Sequence, residues 1–113
     1  MLKQAEKLKR NEDFKKIYAR GKSVVTPYLV LYFMRNNLAV NRLGISVSKK
    51  VGNSVVRNRV KRLIREAFRL SPIPLKTGLD LVIIARVRMN QSDYRTVEKH
   101  MGQILGKVRK DKP

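Results

Sequence analysis

The chain has no cysteine, no tryptophan and a single histidine, and charged residues interrupt every apolar stretch. The absence of cysteine excludes disulfides and thiolate metal sites. No apolar run approaches the roughly 18 residues that a membrane-spanning helix requires, and the N-terminus lacks the apolar core of a signal peptide. These absences predict a cytoplasmic protein with no membrane anchor.

Groups that could carry catalysis are equally scarce. His100 stands beside Lys99 in a predicted helix, which indicates an ordinary boundary histidine. Glu12 and Asp13 form a simple helix-start pair, and no acidic residues have the spacing of a two-metal nuclease. The segment 52–54 is too short for a phosphate-binding loop. We therefore predict binding, with no catalytic residue and no metal ligands in the protein.

Acidic residues are few: 8 against 27 lysines and arginines, a formal net charge of +19 over 113 residues. This charge is spread along the chain, and self-repulsion on such a scale weakens a compact state. A nucleic-acid partner is the usual reason to tolerate it, and a membrane surface is the less favoured alternative. The length indicates a single domain, residues 1–113, and an apolar content of 42% suffices for a core.

The densest positive charge coincides with a helical pattern. Apolar residues recur at the spacing of one helix face, at Val56, Val60, Leu63, Ile64, Ala67 and Phe68. The opposite face carries Asn58, Lys61, Arg62, Arg65 and Arg69, with Arg57 and Arg59 at its borders. Acidic partners at i+4 are nearly absent. The pattern therefore favours a face that binds a polyanion over one that is merely solvated.

The first part of the chain is predicted to hold one helix and one or two strands. Residues Met1–Arg10 are expected to form a flexible basic arm. Asn11 is the predicted N-cap of a short helix that ends at Gly21. The segment Ser23–Arg35 alternates in polarity and predicts a strand or strand pair broken at Pro27.

The second part is predicted to alternate between strands and helices. A strand over 43–47 has one face of small residues. The basic helix is expected to begin at an Asn53 or Ser54 cap and to end before Pro72. The apolar run Leu79–Arg86 indicates a central strand.

The last predicted helix begins at a Ser92 cap, and residues 110–113 are expected to be frayed. Its inward residues are predicted to be Val97, Met101, Ile104, Leu105 and Val108. The order of elements predicts an α+β fold, a single two-layer α/β sandwich with a βαβ unit between Leu43 and Arg86. Helices would cover one sheet face and leave the other partly open to a ligand.

The few aromatic residues have two interpretations. Phe14 and Tyr18 are one helical turn apart, and Tyr28 and Tyr32 are predicted to share a strand face. They can pack in the core, or they can form a stacking platform for unpaired bases. Both interpretations stay open for Phe14.

The segment Gly44–Phe68 closely resembles the signature of the bacterial ribonuclease P protein component, whose hallmark is the motif Arg57-Asn58-Arg59. The segment Asn11–Phe14 followed by Gly21, and the late strand Leu81–Arg86, also resemble that family. The resemblance spans about residues 8–108. It implies a fold that ribosomal proteins also use.

The resemblance also implies a function, a partner and a set of site residues. Members of the family remove the 5′ leader from precursor tRNA, and a catalytic RNA subunit with Mg²⁺ performs the hydrolysis. The residues that would face RNA are Lys49, Lys50, Arg57, Asn58, Arg59, Lys61, Arg62 and Arg65. Those that would bind the single-stranded leader in a cleft between the first helix and the sheet are Phe14, Tyr18 and Tyr32. Anions such as sulfate or phosphate are expected along the 57–65 face.

Two other functions fit the composition. A structural RNA-binding protein, such as a ribosomal component, would carry a similar charge. A DNA-binding regulator would place the basic helix in a major groove, but a strand rather than another helix is predicted before it.

Overall fold

The computed structural model describes residues 5–111, which form a five-stranded sheet and three α-helices. The strands are β1 (Glu6–Lys7), β2 (Lys22–Val25), β3 (Leu29–Arg35), β4 (Arg42–Ser46) and β5 (Leu79–Ala85). The helices are α1 (Asn11–Arg20), α2 (Ser54–Leu70) and α3 (Tyr94–Lys110), with a short 3-10 helix at Val87–Gln91. The predicted α+β class is confirmed.

The sheet has the order β1-β4-β5-β3-β2, so β5 is central as its apolar sequence predicts. β4 and β5 pair in parallel, and β3 pairs antiparallel with β5 and with β2. α2 connects β4 to β5, which confirms the βαβ unit. The break at Pro27 is also confirmed, because the Thr26 hydroxyl accepts hydrogen bonds from the backbone N–H groups of Tyr28 and Leu29 at 3.2 and 3.0 Å.

The main core lies between one sheet face and the helices α2 and α3. The fully buried residues on its helical side include Val60, Ile64, Phe68, Met101, Ile104 and Leu105, and those on its sheet side include Leu29, Leu31, Leu81 and Ile83. Burial of one such side chain contributes about 1.5–3 kcal/mol. The apolar face predicted for α2 is therefore confirmed, and its anchoring offsets the repulsion among the arginines on its other side.

α1 lies on the opposite sheet face and covers only part of it. Ile17 is completely buried there with Val82 and Leu8 in a second, smaller cluster. This helix ends at Gly21, as predicted, where the Gly21 N–H donates to the Ile17 carbonyl. A Cβ at position 21 would lie 2.6 Å from that oxygen. Only glycine therefore lets the backbone pass this close to the last turn of the helix.

The predicted flexible arm is wrong for residues 5–10. β1 pairs in parallel with β4, and Ala5 and Leu8 are buried. The Leu8 N–H donates to the Leu43 carbonyl at 2.9 Å, so the segment supplies hydrogen bonds that the edge of β4 would otherwise lack. Residues 1–4 of the predicted arm lie outside the described residues.

Two of the predicted helix caps are also wrong. α1 begins at Asn11 itself, after Arg10, whose carbonyl accepts from the Phe14 N–H. α3 is capped by Asp93, whose carboxylate accepts from the Thr96 N–H at 2.9 Å. Ser92 is buried instead, and its hydroxyl donates to the Arg88 carbonyl because the 3-10 helix turns it inward.

The remaining predictions about chain ends have mixed outcomes. Asn53 is confirmed as the cap of α2 and accepts from the Val56 N–H at 3.0 Å. The frayed tail is wrong for Lys110, which is the last residue of α3, and for Asp111, which forms an ion pair with Lys22 at 3.0 Å. Residues 112–113 lie outside the described part of the chain.

A polar network joins the two central parallel strands. Arg42 and Asp80 are register partners on β4 and β5, and the guanidinium binds the carboxylate through Nε at 2.8 Å and Nη2 at 2.6 Å. Asn36 donates to the same carboxylate at 2.9 Å, and Asp13 of α1 lies 3.4 Å from Arg42 Nη1. The hydrogen bonds that Asp80 accepts from the guanidinium raise the pKa of Arg42. The network therefore ties α1 and the 36–41 loop to the sheet.

Asp80→Asn is expected to lower the free energy of unfolding by about 3 kcal/mol, because it leaves the partly buried Arg42 charge with only a weak partner. Urea denaturation measures the change. Glu98→Gln is the matched control, since Glu98 is exposed and forms no ion pair among residues 5–111. Equal losses in the two variants would contradict a structural role for the network.

Candidate nucleic-acid interface

Three aromatic rings form a continuous row between α1 and the sheet. The ring centres of Phe14 and Tyr18 are 6.5 Å apart, and those of Tyr18 and Tyr32 are 5.3 Å apart in an edge-to-face arrangement. Tyr18 is 41% exposed, and Phe14 and Tyr32 are partly buried. The structure thus brings together the three residues predicted from the resemblance, which we call the aromatic row.

Tyr28 does not belong to this row, so the prediction that it shares a face with Tyr32 is wrong. It precedes β3 by one residue, where the strand alternation does not apply, and it packs against the main core. Its ring lies 4.5 Å from that of His100, and the Arg88 guanidinium lies 5.1 Å from its centre. His100 is partly buried, as expected for a boundary residue, and burial lowers its pKa.

Gly44 forms the surface on which Phe14 rests. A Cβ at position 44 would lie 2.5 Å from Cζ of the ring, so the ring can lie on β4 only because this residue has no side chain. Phe14 also packs against the cluster that contains Leu8 and Ile17. It is therefore both an anchor of α1 and a partly accessible ring.

Tyr18 keeps a polar end next to β4. Burial raises the pKa of its phenol, and a hydrogen bond with Ser46 opposes the shift. The phenol is therefore neutral at physiological pH and can donate a hydrogen bond. A neutral aromatic ring with a polar, solvent-exposed edge suits stacking on a base at a hydrated surface.

A groove along the β1 and β4 edge joins the aromatic row to α2. Its volume is about 950 Å³, and it is lined by Phe14 and Gly44 on one side and by Lys61 and Arg65 of α2 on the other. We call it the edge groove. Its other basic residues are Lys7, Lys9 and Arg69. A strand of polyanion in this groove would therefore contact both predicted groups of residues.

The eight residues predicted to face RNA do not all have the same surroundings. Those that are exposed are Lys49, Lys50, Asn58, Arg62 and Arg65, and those that are partly buried are Arg57, Arg59 and Lys61. The Arg59 guanidinium donates to the backbone carbonyl of Ser92, in the turn before α3. Arg59 thus fastens α2 to that turn as well as bordering the charged face.

Several residues at this surface were not predicted from the sequence. The small-residue face predicted for β4 is the signal that could have identified Gly44 as a seat for an aromatic ring. Lys7 and Lys9 could not have been found, since the arm that carries them was predicted to be free of the fold. Tyr94 was also not predicted as a site residue, and it lines a hollow of about 500 Å³ with Arg59, Arg62 and Arg65.

The described residues contain no group of three histidine, aspartate or glutamate side chains that could hold a metal ion. None of the helices within residues 5–111 combines the length and the apolar composition that a bilayer-spanning segment requires. The fold and its surface define a small basic α+β protein in which the aromatic row lies beside a cationic helix.

Comparisons with known proteins agree with these features. The family model described as Ribonuclease P matches residues 2–109. The ribonuclease P protein component of Thermoanaerobacter pseudethanolicus is 47% identical over 108 residues, covering 96% of this chain and 93% of that protein.

Two solved structures have the same fold. The RNase P protein of Staphylococcus aureus superposes with a TM-score of 0.81 at 38% identity, covering 94% of this chain and 99% of that one. The RNase P protein of Thermotoga maritima gives a TM-score of 0.80 at 32% identity, covering 96% and 99%. The chain belongs to the ribonuclease P protein family.

Arg59→Ala is expected to lower the free energy of unfolding by about 1–2 kcal/mol, because the Ser92 carbonyl loses a charged donor. Arg65→Ala is the matched control on the same helix. It is expected to change stability by less than about 0.5 kcal/mol, since Arg65 is exposed. Thermal and urea unfolding measure both. A stable Arg59→Ala protein would show that the contact with Ser92 contributes nothing to the fold.

Proposed function

We propose that this protein is the RNA-binding subunit of a cytoplasmic ribonuclease P, which removes the 5′ leader from precursor tRNA. The face predicted to contact the catalytic RNA consists of Lys49, Lys50, Arg57, Asn58, Arg59, Lys61, Arg62 and Arg65. The aromatic row binds the single-stranded leader. The RNA subunit, with Mg²⁺, performs the hydrolysis.

The observation that carries this proposal is the edge groove. Phe14 reaches it from the aromatic row, and Lys61 and Arg65 reach it from α2. A single-stranded leader stacked on the row would therefore run next to the helix that binds the structured RNA. Stacking rings beside a basic track are the usual arrangement in proteins that bind unpaired nucleic acid.

The acidic residues support a division of roles in which the RNA is the catalyst. Asp13 and Asp80 bind Arg42, and Glu66 binds Arg69. Asp13 and Asp80 join separate elements of the fold, Glu66 is engaged within α2, and the donor set of residues 5–111 does not fit a protein-held Mg²⁺ ion. Mg²⁺ belongs to the RNA in this proposal, and anions such as phosphate or sulfate would occupy the 57–65 face when RNA is absent.

The alternatives are weaker. A ribosomal component would account for the charge, but membership of the ribonuclease P family favours the tRNA-processing role. A DNA-binding regulator would need a helix packed before the basic helix, whereas β4 precedes α2.

Reconstitution tests the proposed function directly. The purified protein alone is expected to leave precursor tRNA intact, because no described group is placed for hydrolysis. Addition of ribonuclease P RNA and Mg²⁺ is expected to give cleavage at the mature 5′ end, at a salt concentration where the RNA alone cleaves poorly. Cleavage by RNA-free protein, or no effect of the protein on the RNA, would refute this division of roles.

Phe14→Ala and Gly44→Ala are expected to weaken binding of precursor tRNA by about 1–3 kcal/mol while leaving mature tRNA nearly unaffected. Phe14→Ala removes one ring, and Gly44→Ala displaces the same ring without removing it. Gly102→Ala is the matched control, because a Cβ there meets nothing within 4 Å.

Affinities for both tRNA forms are to be measured with the assembled RNA–protein complex, together with the melting temperature of each variant. Tyr18→Phe and Tyr32→Phe keep the rings and should bind the precursor nearly as well as the parent protein. Equal weakening for precursor and mature tRNA, or losses that follow unfolding, would contradict leader binding by the row.

A further inference from the structure

A second pocket lies at one end of the sheet. Its volume is about 400 Å³, and Phe33, Leu79 and Val108 are among the apolar residues that line it. It is bordered by the end of β3, the start of β5, the loop after α2 and the C-terminal turn of α3. We call it the end pocket. It contains no residue of the aromatic row and none of the eight residues assigned to the RNA-binding face.

The mouth of the end pocket is strongly cationic. Its basic residues are Arg20, Lys22, Arg35, Lys76 and Arg109. Asp111 is its single acid, and it neutralises Lys22 at a distance of 3.0 Å. The other four cations are exposed and form no ion pair within residues 5–111. Such unpaired charges repel one another unless an anion joins them.

The size and lining of the end pocket indicate the kind of ligand. A volume of about 400 Å³ is enough for a small planar ring system, and the apolar residues suit the face of such a ring. Arginine and lysine at the mouth suit phosphate oxygens. A planar base joined to phosphate satisfies both requirements.

The charges reach the pocket from opposite faces of the sheet. Arg20 ends α1, which packs on one face, and Arg109 lies in the last turn of α3, which packs on the other. A nucleotide within a strand carries a phosphate on each side of its base, whereas a free mononucleotide carries phosphate on one side only. The arrangement therefore favours a strand.

We propose that the end pocket receives the base of an unpaired nucleotide in an RNA strand, while Arg20, Arg35 and Arg109 bind the flanking phosphates. This contact is separate from the aromatic row and from the charged face of α2. It gives the protein a third RNA-binding surface, whose occupation does not depend on the leader assignment.

Methyl-labelled full-length protein, titrated at low salt with a four-nucleotide adenylate RNA, tests the proposal. The methyl signals of Leu79 and Val108 report on the end pocket, and that of Ile84 reports on the sheet face below the aromatic row. Saturable shifts of Leu79 and Val108 are expected with the tetranucleotide. An abasic backbone of equal length is expected to give much weaker shifts, because the base supplies the apolar contact.

Charge reversal separates the pocket from general electrostatics. Arg35→Glu with Arg109→Glu is expected to weaken binding at the Leu79 and Val108 signals by about tenfold or more, since two phosphate contacts are lost. Lys99→Glu with Lys107→Glu is the matched control, with the same change in net charge at exposed α3 residues outside the pocket. We expect this control to weaken binding by no more than about threefold.

Three results would overturn the proposal. One is an equal loss of affinity in both double variants. Another is binding of adenosine monophosphate or pyrophosphate at these signals as tight as that of the tetranucleotide, which would indicate a free-nucleotide or simple anion site. The third is a tetranucleotide titration that moves Ile84 and leaves Leu79 and Val108 unchanged.

Discussion

The ion pair between Arg42 and Asp80 is the interaction on which the rest of the structure depends. It joins the two parallel strands that α2 connects, and its carboxylate is 7% exposed. Arg42 also reaches Asp13 at the start of α1, so one guanidinium ties this helix to both strands. A buried pair of this kind is costly to break, because Arg42 alone would keep only the more distant Asp13 and Asp80 alone only the Asn36 amide. The position of α1 on the sheet, and with it that of Phe14 and Tyr18 in the aromatic row, is fixed in part by this link.

The scarcity of acidic residues determines which surface cations remain without a carboxylate partner. The acids that the structure engages in ion pairs are Glu12, Asp13, Glu66, Asp80 and Asp111, and Asp93 caps α3. Few carboxylates are left to neutralise the cations on the outer surfaces. The charged face of α2, the edge groove and the end pocket therefore stay electropositive. Anion binding at these surfaces would relieve the repulsion among cations that folding brings together.

The aromatic row depends on two features that a composition does not reveal. Gly44 lets α1 approach the sheet closely enough for Phe14 to lie on β4. β1 covers the other edge of β4 and brings Lys7 and Lys9 to the groove beside that ring. The small residue thus provides room for the Phe14 ring, and the edge strand provides positive charge next to it.

The sequence by itself determined the fold class, the βαβ unit, the apolar face of α2 and the central place of β5, because periodicity and apolar runs report burial directly. The tertiary structure alone decided that residues 5–8 pair with β4 and that Asp93 rather than Ser92 caps α3. It also decided that Arg59 turns to the Ser92 carbonyl and that Tyr28 is separated from Tyr32. These outcomes depend on contacts between residues far apart in the chain, which local patterns do not record. The aromatic row is an intermediate case. Its rings could be named from a family resemblance, but the approach of Phe14 to the groove that Lys61 and Arg65 line depended on the packing of α1 and α2 on opposite faces of one sheet.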